Sequence, residues 1–108
     1  MDRLLRMERL QSFFSVCGGE INGRKKVHKL VYLGQALGIS LGQDFIFHHY
    51  GVYSPGLSNG LRQAENWGIL TEEKTGVSYR YQLKEEYSGL NDEINSEKRR
   101  IIRTLNKR

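Results

Sequence analysis

The stretch FHHYGVYSP at residues 47–55 decides the fold of this chain. An amphipathic run follows it as far as Trp67-Gly68, and two strand-like segments then flank Gly76. Ser54-Pro55 is a helix start signal, because the Ser hydroxyl can accept an otherwise unpaired N–H and Pro at the first helical position loses no hydrogen bond. The order of strand, capped helix and β-hairpin predicts an α+β fold, a winged-helix-like single domain.

Length and composition bound the class of protein. With 108 residues the chain can build one hydrophobic core, so we take residues 1–108 as one domain. Cys17 is the single cysteine, and charged residues open the chain in place of a secretory signal, which together predict a cytoplasmic location. The longest mainly apolar stretch, residues 30–42, is shorter than the roughly 20 residues of a membrane span, so we expect no membrane partner.

The positive charge is distributed unevenly. The formal net charge is +5, with seven basic and four acidic residues in 1–50, four basic and eight acidic in 51–97, and six basic and no acidic in 98–108. A basic balance favours an anionic partner. Residues 54–83, which hold the predicted third helix and wing, nevertheless balance at zero. That is a weak electrostatic footprint for a monomer that binds nucleic acid.

Two amphipathic helices precede the decisive stretch. From Asp2 to Cys17, apolar residues recur at three- and four-residue spacings, and Gly18-Gly19 ends that helix. Asn22 is placed to cap a second helix that ends at Gly38. The apolar positions of the two helices are Met7, Leu10, Phe13, Phe14, Cys17, Val27, Leu30, Val31, Leu33, Gly34 and Leu37, of which Gly34 lets another element approach closely.

The later elements follow from alternation and turn residues. Residues 44–50 alternate as one strand that Gly51 ends, and the third helix runs from 55 to 67. Residues 69–71 and 77–83 are predicted wing strands joined by a polar turn at 72–76. The third helix and wing should share a core of Leu57, Leu61, Ala64, Val77, Tyr79, Tyr81 and Leu83. Residues 89–108 are predicted to form a C-terminal basic helix.

Three segments carry a family resemblance: GRKKVHKLVYL at 23–33, YGVYSPGL at 50–57 and WGIL at 67–70. Over residues 22–72 the chain resembles the small bacterial YwgA-like proteins, which in turn look like a trimmed relative of the SocA-type antitoxin domain called Panacea. Panacea proteins are described as toxin-neutralising and phage-associated, so this resemblance implies binding of another protein rather than catalysis. The family commonly has Pro after the turn glycine, where this chain has Val52.

No pattern predicts catalysis or a metal. His48 and His49 are neighbours on a strand and point to opposite faces, so they cannot chelate one ion together, and we expect a polar His48 and a partly buried His49. Ser54 lacks the Gly-x-Ser-x-Gly context of an activated nucleophile, and no glycine-rich phosphate loop is present. We therefore expect a protein that is not an enzyme and uses no metal or cofactor.

The first functional hypothesis is a winged-helix regulator that binds double-stranded DNA. Polar residues on the outer face of the third helix have the chemistry of base-edge contacts. A cationic cluster on the first turns of the second helix, where the macrodipole disfavours positive charge, suits phosphates, although a solvated basic face explains it equally well. The predicted nucleic-acid-binding residues are Arg24, Lys25, Lys26, Lys29, Asn59, Arg62, Gln63 and Lys74.

The alternative hypothesis is a protein-interaction module of antitoxin or phage-interaction type. Its predicted anchors in a partner's groove are Tyr50, Tyr53, Trp67 and Tyr79. The apolar stripe of the basic helix, which we expect to pair with its copy in a homodimer, consists of Ile94, Ile101, Ile102 and Leu105.

Overall fold

A computed structural model describes residues 1–49, 51–85, 90 and 93–108. The described elements are α1 (Arg3–Val16), β1 (Glu20–Asn22), α2 (Arg24–Ala36), β2 (Ile46–His48), β3 (Gly51–Tyr53), α3 (Pro55–Asn66), β4 (Leu70–Thr75), β5 (Ser78–Leu83) and α4 (Ser96–Lys107). The strands form two antiparallel sheets, one in the order β1-β5-β4 and one of β2 and β3. The predicted α+β fold is confirmed, and the sequence of helices followed by a β4–β5 hairpin agrees with a winged-helix-like arrangement.

The short strand β1 was absent from the sequence prediction. It pairs with β5 so that Ile21 lies opposite Tyr81, and both side chains are buried. The prediction that Asn22 caps α2 is wrong, because the backbone of Asn22 is used in this pairing and Gly23 takes the capping position without a side-chain hydrogen bond. Gly23 has a φ of 103° there, and its N–H donates to the Tyr79 carbonyl at 2.6 Å.

The decisive stretch folds into a hairpin, where the sequence predicted one strand and a turn. Strands β2 and β3 pair from Ile46 opposite Tyr53 to His48 opposite Gly51. Tyr50 lies outside the described residues. The expectation of a partly buried His49 is wrong, because His49 follows the last paired residue of β2 and is exposed at the end of the hairpin.

The β4–β5 hairpin is longer and more tightly turned than predicted. Its register runs from Leu70 opposite Leu83 to Thr75 opposite Ser78, which leaves Gly76 and Val77 as the turn. The prediction that Val77 belongs to the core is wrong: its side chain is 99% exposed, because it lies in the turn and not on the inward face of a strand. Tyr81 is buried as predicted, and Tyr79 and Leu83 pack against the core from its edge.

Helices α1, α2 and α3 bury the faces that their periodicity predicts. The Ser54 cap is confirmed, since Ser54 Oγ accepts the N–H of Leu57 at 3.1 Å. Gly34 allows the predicted close approach, because a Cβ at that position would lie 2.7 Å from Cε1 of Phe13. The buried apolar residues are Met7, Leu10, Phe13, Phe14, Val16, Cys17, Ile21, Val27, Leu30, Val31, Ile39, Leu41, Leu57, Leu61, Ala64, Leu70, Tyr81, Leu90, Ile94 and Ile102.

Helix α4 begins later than the sequence predicted. Asn95 caps it by accepting the N–H of Lys98 at 2.8 Å, so the helix starts at Ser96 and not at 89. Residues 89, 91 and 92, which the prediction placed in this helix, lie outside the described residues. Within the described part of the chain, none of the helices is long and apolar enough to cross a membrane.

Candidate functional site

A cleft of about 510 Å³ opens between α2, α3, the β2–β3 hairpin and the β1-β5-β4 sheet. We call it the α2–α3 cleft. Concave surfaces with apolar walls and a few convergent polar groups are the usual binding sites of proteins. The cleft is lined by Arg24, Lys25, His28, His48, Gly51, Val52, Tyr53, Ser58, Leu61, Arg62, Glu65, Glu72 and Tyr81.

His28 joins α2 to the start of α3 at the wall of this cleft. Its Nδ1 accepts the backbone N–H of Ser54 at 3.0 Å, and its Nε2 lies 3.3 Å from Ser58 Oγ. Because Nδ1 is an acceptor, the ring is neutral and carries its hydrogen on Nε2, which donates to Ser58. Tyr53 stacks on the ring at a centroid distance of 4.9 Å. Burial lowers the pKa of His28 below its ordinary value, which favours this neutral form.

His28 was not among the site residues predicted from the sequence. Its position beside Val27 and three residues before Val31 places it at the margin of the apolar face of α2. That margin is the signal that could have found it, because a polar side chain there is buried only with a partner. The partner, Ser54, lies 26 residues further along the chain.

Arg24 is held by groups of the sheet at another wall of the cleft. Its Nε donates to the Tyr81 hydroxyl at 3.1 Å, and its Nη2 pairs with Glu72 at 3.0 Å. The guanidinium also lies 3.8 Å from the centroid of the Tyr79 ring. The hydrogen bond to Tyr81, and then the one to Glu72, raise the pKa of Arg24 above its ordinary value. Arg24 is therefore a structural cation that the protein already neutralises.

Glu65 of α3 and Glu72 of β4 form a carboxyl pair between the third helix and the wing. Burial, followed by the hydrogen bond and the charge of Glu72, raises the pKa of Glu65 to about 7. The charges of Arg24 and Arg62 act in the opposite direction. Glu65 therefore holds a proton up to about neutral pH and adds its own negative charge to the cleft above that pH.

The predicted nucleic-acid-binding residues do not form one surface. Arg24, Lys25 and Arg62 line the cleft, whereas Asn59 and Gln63 line a separate pocket of about 180 Å³ beside α1. Lys26 donates to the carbonyl of Asn106 at 2.7 Å, which ties it to the end of α4.

The remaining two predicted cations lie elsewhere. Lys29 is exposed on α2, and Lys74 lies in β4 with its ammonium 5.9 Å from the centroid of the Tyr79 ring. The structure thus distributes the predicted set over the cleft, the α1 side of α3, the end of α4 and the wing.

The predicted partner-binding aromatics are also separated. Tyr53 is 37% exposed beside the cleft, Trp67 is 49% exposed at the end of α3, and Tyr79 is partly buried under Arg24. Tyr50 lies outside the described residues. The predicted anchors did not include Phe47, which is 75% exposed, or its neighbour Ile46, which is 47% exposed on the same hairpin. Ile46 and Tyr53 are cross-strand partners on one face of the β2–β3 hairpin, whereas Phe47 lies on the other face, opposite Val52, which lines the cleft.

The prediction that the apolar stripe near the C-terminus is free to pair with a second copy is wrong. Ile102 and Ile94 are buried in the protein's own core, and Leu105 packs against it, because α4 lies on α1 and α2. Ile101 is the member of the set that stays exposed, at 37%. An apolar stripe that is covered by its own chain cannot pair with a second copy without unfolding part of the core.

The described residues include neither a cluster of metal ligands nor an activated thiol. Among the described residues there is no group of three or more His, Cys, Asp or Glu side chains that could hold a metal ion. Cys17 is buried, and burial raises the pKa of its thiol to about 12. A thiol with that pKa stays protonated at neutral pH and is a poor nucleophile.

Comparison with known proteins places the chain beside a bacterial protein. No protein-family model matches it. The chain is similar to YwgA of Bacillus subtilis (strain 168), whose printed description is "Uncharacterized protein YwgA". The two are 38% identical over 78 residues, which cover 68% of this chain and 47% of YwgA. No solved structure matches it.

The similarity to YwgA has a limited reach. It agrees with the resemblance to YwgA-like proteins that the turn and helix motifs indicate. The chain spans about half the length of YwgA, and the description of YwgA names no activity or partner. The functional proposal for this chain is therefore based on the geometry of its own site.

Proposed function

We propose that this protein is a non-enzymatic binding module that takes a segment of a partner protein across the α2–α3 cleft and the β2–β3 hairpin. The observation that carries the proposal is the 75% exposure of Phe47, whose cross-strand partner Val52 lines a cleft of about 510 Å³. Large aromatic side chains next to a concave pocket are the residues that usually dominate binding between proteins.

The charges of the cleft support a protein partner over a phosphate backbone. Arg24 is paired with Glu72, and the Glu65–Glu72 pair lies between α3 and β4. A phosphate that approached the third helix and the wing would meet these carboxylates as well as Arg62. A protein segment carries both signs of charge together with apolar side chains, so it can complement such a mixed surface.

A capture experiment with a matched control tests this proposal. The tagged protein is incubated with lysate of its source cells, and bound proteins are identified by mass spectrometry for the parent, Phe47→Ser and Val77→Ser. Both variants remove one exposed apolar side chain, but Val77 lies at the β4–β5 turn. We expect a specific partner that the parent and Val77→Ser retain and Phe47→Ser loses. Equal recovery with both variants, or recovery of nucleic acid alone, contradicts the proposal.

The resemblance to Panacea suggests the kind of partner. We infer that it is a toxin or a phage-associated protein encountered in the cytoplasm, as expected for an antitoxin-like module. A gene for a toxin next to the gene of this protein supports that assignment. Co-expression of the two should relieve growth inhibition, and it should fail to do so with Phe47→Ser.

A nucleic-acid-binding regulator is the second candidate. The observation in its favour is that Asn59 and Arg62 are exposed on the outer side of α3, where a winged helix presents side chains to a DNA groove. Titration of a labelled duplex at low salt tests it, with Arg62→Gln as the variant. Specific binding that Arg62→Gln weakens and that salt weakens supports this candidate, whereas the absence of binding at low salt refutes it.

A further inference from the structure

Helix α4 presents a row of cations on the side that faces away from the core. Arg100, Arg103 and Lys107 follow one another at spacings of three and four residues, so they lie along one face of the helix. All three are exposed. At a rise of about 1.5 Å per residue, the row extends for about 10 Å. We call these three residues the α4 ridge.

We propose that the α4 ridge binds the phosphate backbone of a nucleic acid without reading its sequence. This surface is distinct from the α2–α3 cleft and from the outer face of α3. Arginine and lysine contacts of this kind release counterions from the nucleic acid and position a protein on it.

The ridge has no carboxylate partner among the described residues. The ion pairs between described residues are Arg9–Glu93, Arg24–Glu72, Arg80–Glu20 and Arg80–Glu73, so the ridge takes part in none of them. Glu20 and Glu93, which lie on segments near α4, are engaged with Arg80 and Arg9. Within the part of the chain that the structure describes, the charge of the ridge is thus not neutralised by an ion pair.

The helix that carries the ridge is anchored to the rest of the protein. Asn106 Nδ2 donates to the carbonyls of Cys17 and Glu20 at 3.0 and 2.8 Å, and Arg103 Nε donates to the Val16 carbonyl at 2.9 Å. Ile102 is fully buried on the opposite side of the helix. The backbone of α4 is therefore anchored, so the helix that carries the row needs no rearrangement to meet a phosphate backbone.

A nucleic acid fits the ridge better than a membrane or a protein. A helix that lies on a membrane inserts its apolar face, but Ile102 and Leu105 of α4 are packed into the core. A protein partner needs an apolar anchor in the interface, and the exposed apolar residue of α4 is Ile101 alone, at 37%. Three exposed cations with so little apolar surface suit a polyanion.

Binding of a labelled duplex of mixed sequence, measured by fluorescence anisotropy over a range of salt concentrations, tests the proposal. The variant is Arg100→Gln with Lys107→Gln, which leaves Arg103 and its hydrogen bond in place, and the control is Lys84→Gln, an exposed cation that follows β5. At about 0.1 M salt we expect the double variant to bind about eightfold more weakly for each lost phosphate contact, with the log–log salt slope reduced by up to about 2. Lys84→Gln should bind nearly as the parent does.

Three outcomes overturn the proposal. One is a parent protein that does not bind the duplex at low salt. The second is an equal loss of binding per removed charge in Lys84→Gln, which would show that the position of the cation does not matter. The third is binding to vesicles of anionic lipid, lost in the double variant, with none to the duplex. Circular dichroism and thermal melting of each variant show that the fold is retained, as expected for substitutions of exposed side chains.

Discussion

Gly34→Ala and Gly60→Ala add the same methyl group inside two helices and should change stability in opposite directions. In α2, a Cβ at position 34 would lie 2.7 Å from Cε1 and 3.1 Å from Cζ of Phe13, and 3.5 Å from Cδ1 of Leu41. Phe13 is completely buried and Leu41 is 2% exposed, so neither can move into solvent. Overpacking of this kind costs about 1–3 kcal/mol.

Gly60 is the matched control in α3. A Cβ there would meet only Cδ2 of Leu10, at 3.9 Å, which is an ordinary van der Waals contact. Alanine is better than glycine inside a helix by about 1 kcal/mol. Gly60→Ala should therefore stabilise the protein by about 0.5–1 kcal/mol, whereas in Gly34→Ala the overpacking outweighs the same gain and a net loss of up to about 2 kcal/mol is expected.

Thermal and urea denaturation of the parent and both variants measure these changes. For a domain of this size, 1 kcal/mol corresponds to a change in Tm of about 4–8 °C. Gly34→Ala should melt below the parent and Gly60→Ala above it. If Gly34→Ala is as stable as the parent, α2 does not approach Phe13 as closely as described, and the packing of α1 on α2 is wrong.

Three further predictions follow from buried or titrating groups. Leu61→Ala should reduce the free energy of unfolding by about 2–5 kcal/mol in a urea titration, because Leu61 is 4% exposed and its removal leaves a cavity between α3 and the core. Since the folded state lowers the pKa of His28, the unfolded chain binds more protons, and stability should fall as the pH drops below about 6.5; His28→Gln should remove this part of the pH dependence of urea midpoints. Since the pKa of Glu65 is raised to about 7, its contribution to stability is present at low pH and lost as the pH rises through 7. Glu65→Gln should therefore unfold at higher urea than the parent at about pH 8 and differ little at about pH 5, and an equal difference at both pH values would refute the assignment.

The helices could be predicted from the sequence because their signals are local. The spacing of Leu57, Leu61 and Ala64 and the cap at Ser54 depend on residues within one or two turns, and all four side chains are buried as predicted. Strands β1 and β3 have three residues each, too few to show a period. They form because β5 and β2 offer partners, and those partners depend on tertiary structure.

The functional residues were harder to predict, because charge and apolar character do not reveal their partners. Arg24 was expected to meet phosphates, but it is paired with Glu72, which lies 48 residues away along the chain. The stripe on α4 was expected to face a second copy, but Ile102 faces the core of its own chain. In both cases the side chain has the charge or the apolar character on which the prediction was based. The partner was supplied by tertiary contacts that periodicity cannot show.

Under the proposed function, the β2–β3 hairpin and the α2–α3 cleft contact a partner protein. The most direct measurement is photo-crosslinking in the source cells, with p-benzoylphenylalanine placed at position 47 in one variant and at position 77 in another. We predict a discrete protein adduct from position 47 and none from position 77, because both side chains are exposed but only Phe47 lies on the hairpin beside the cleft. Equal adducts at the two positions, or none at position 47, would contradict the claim.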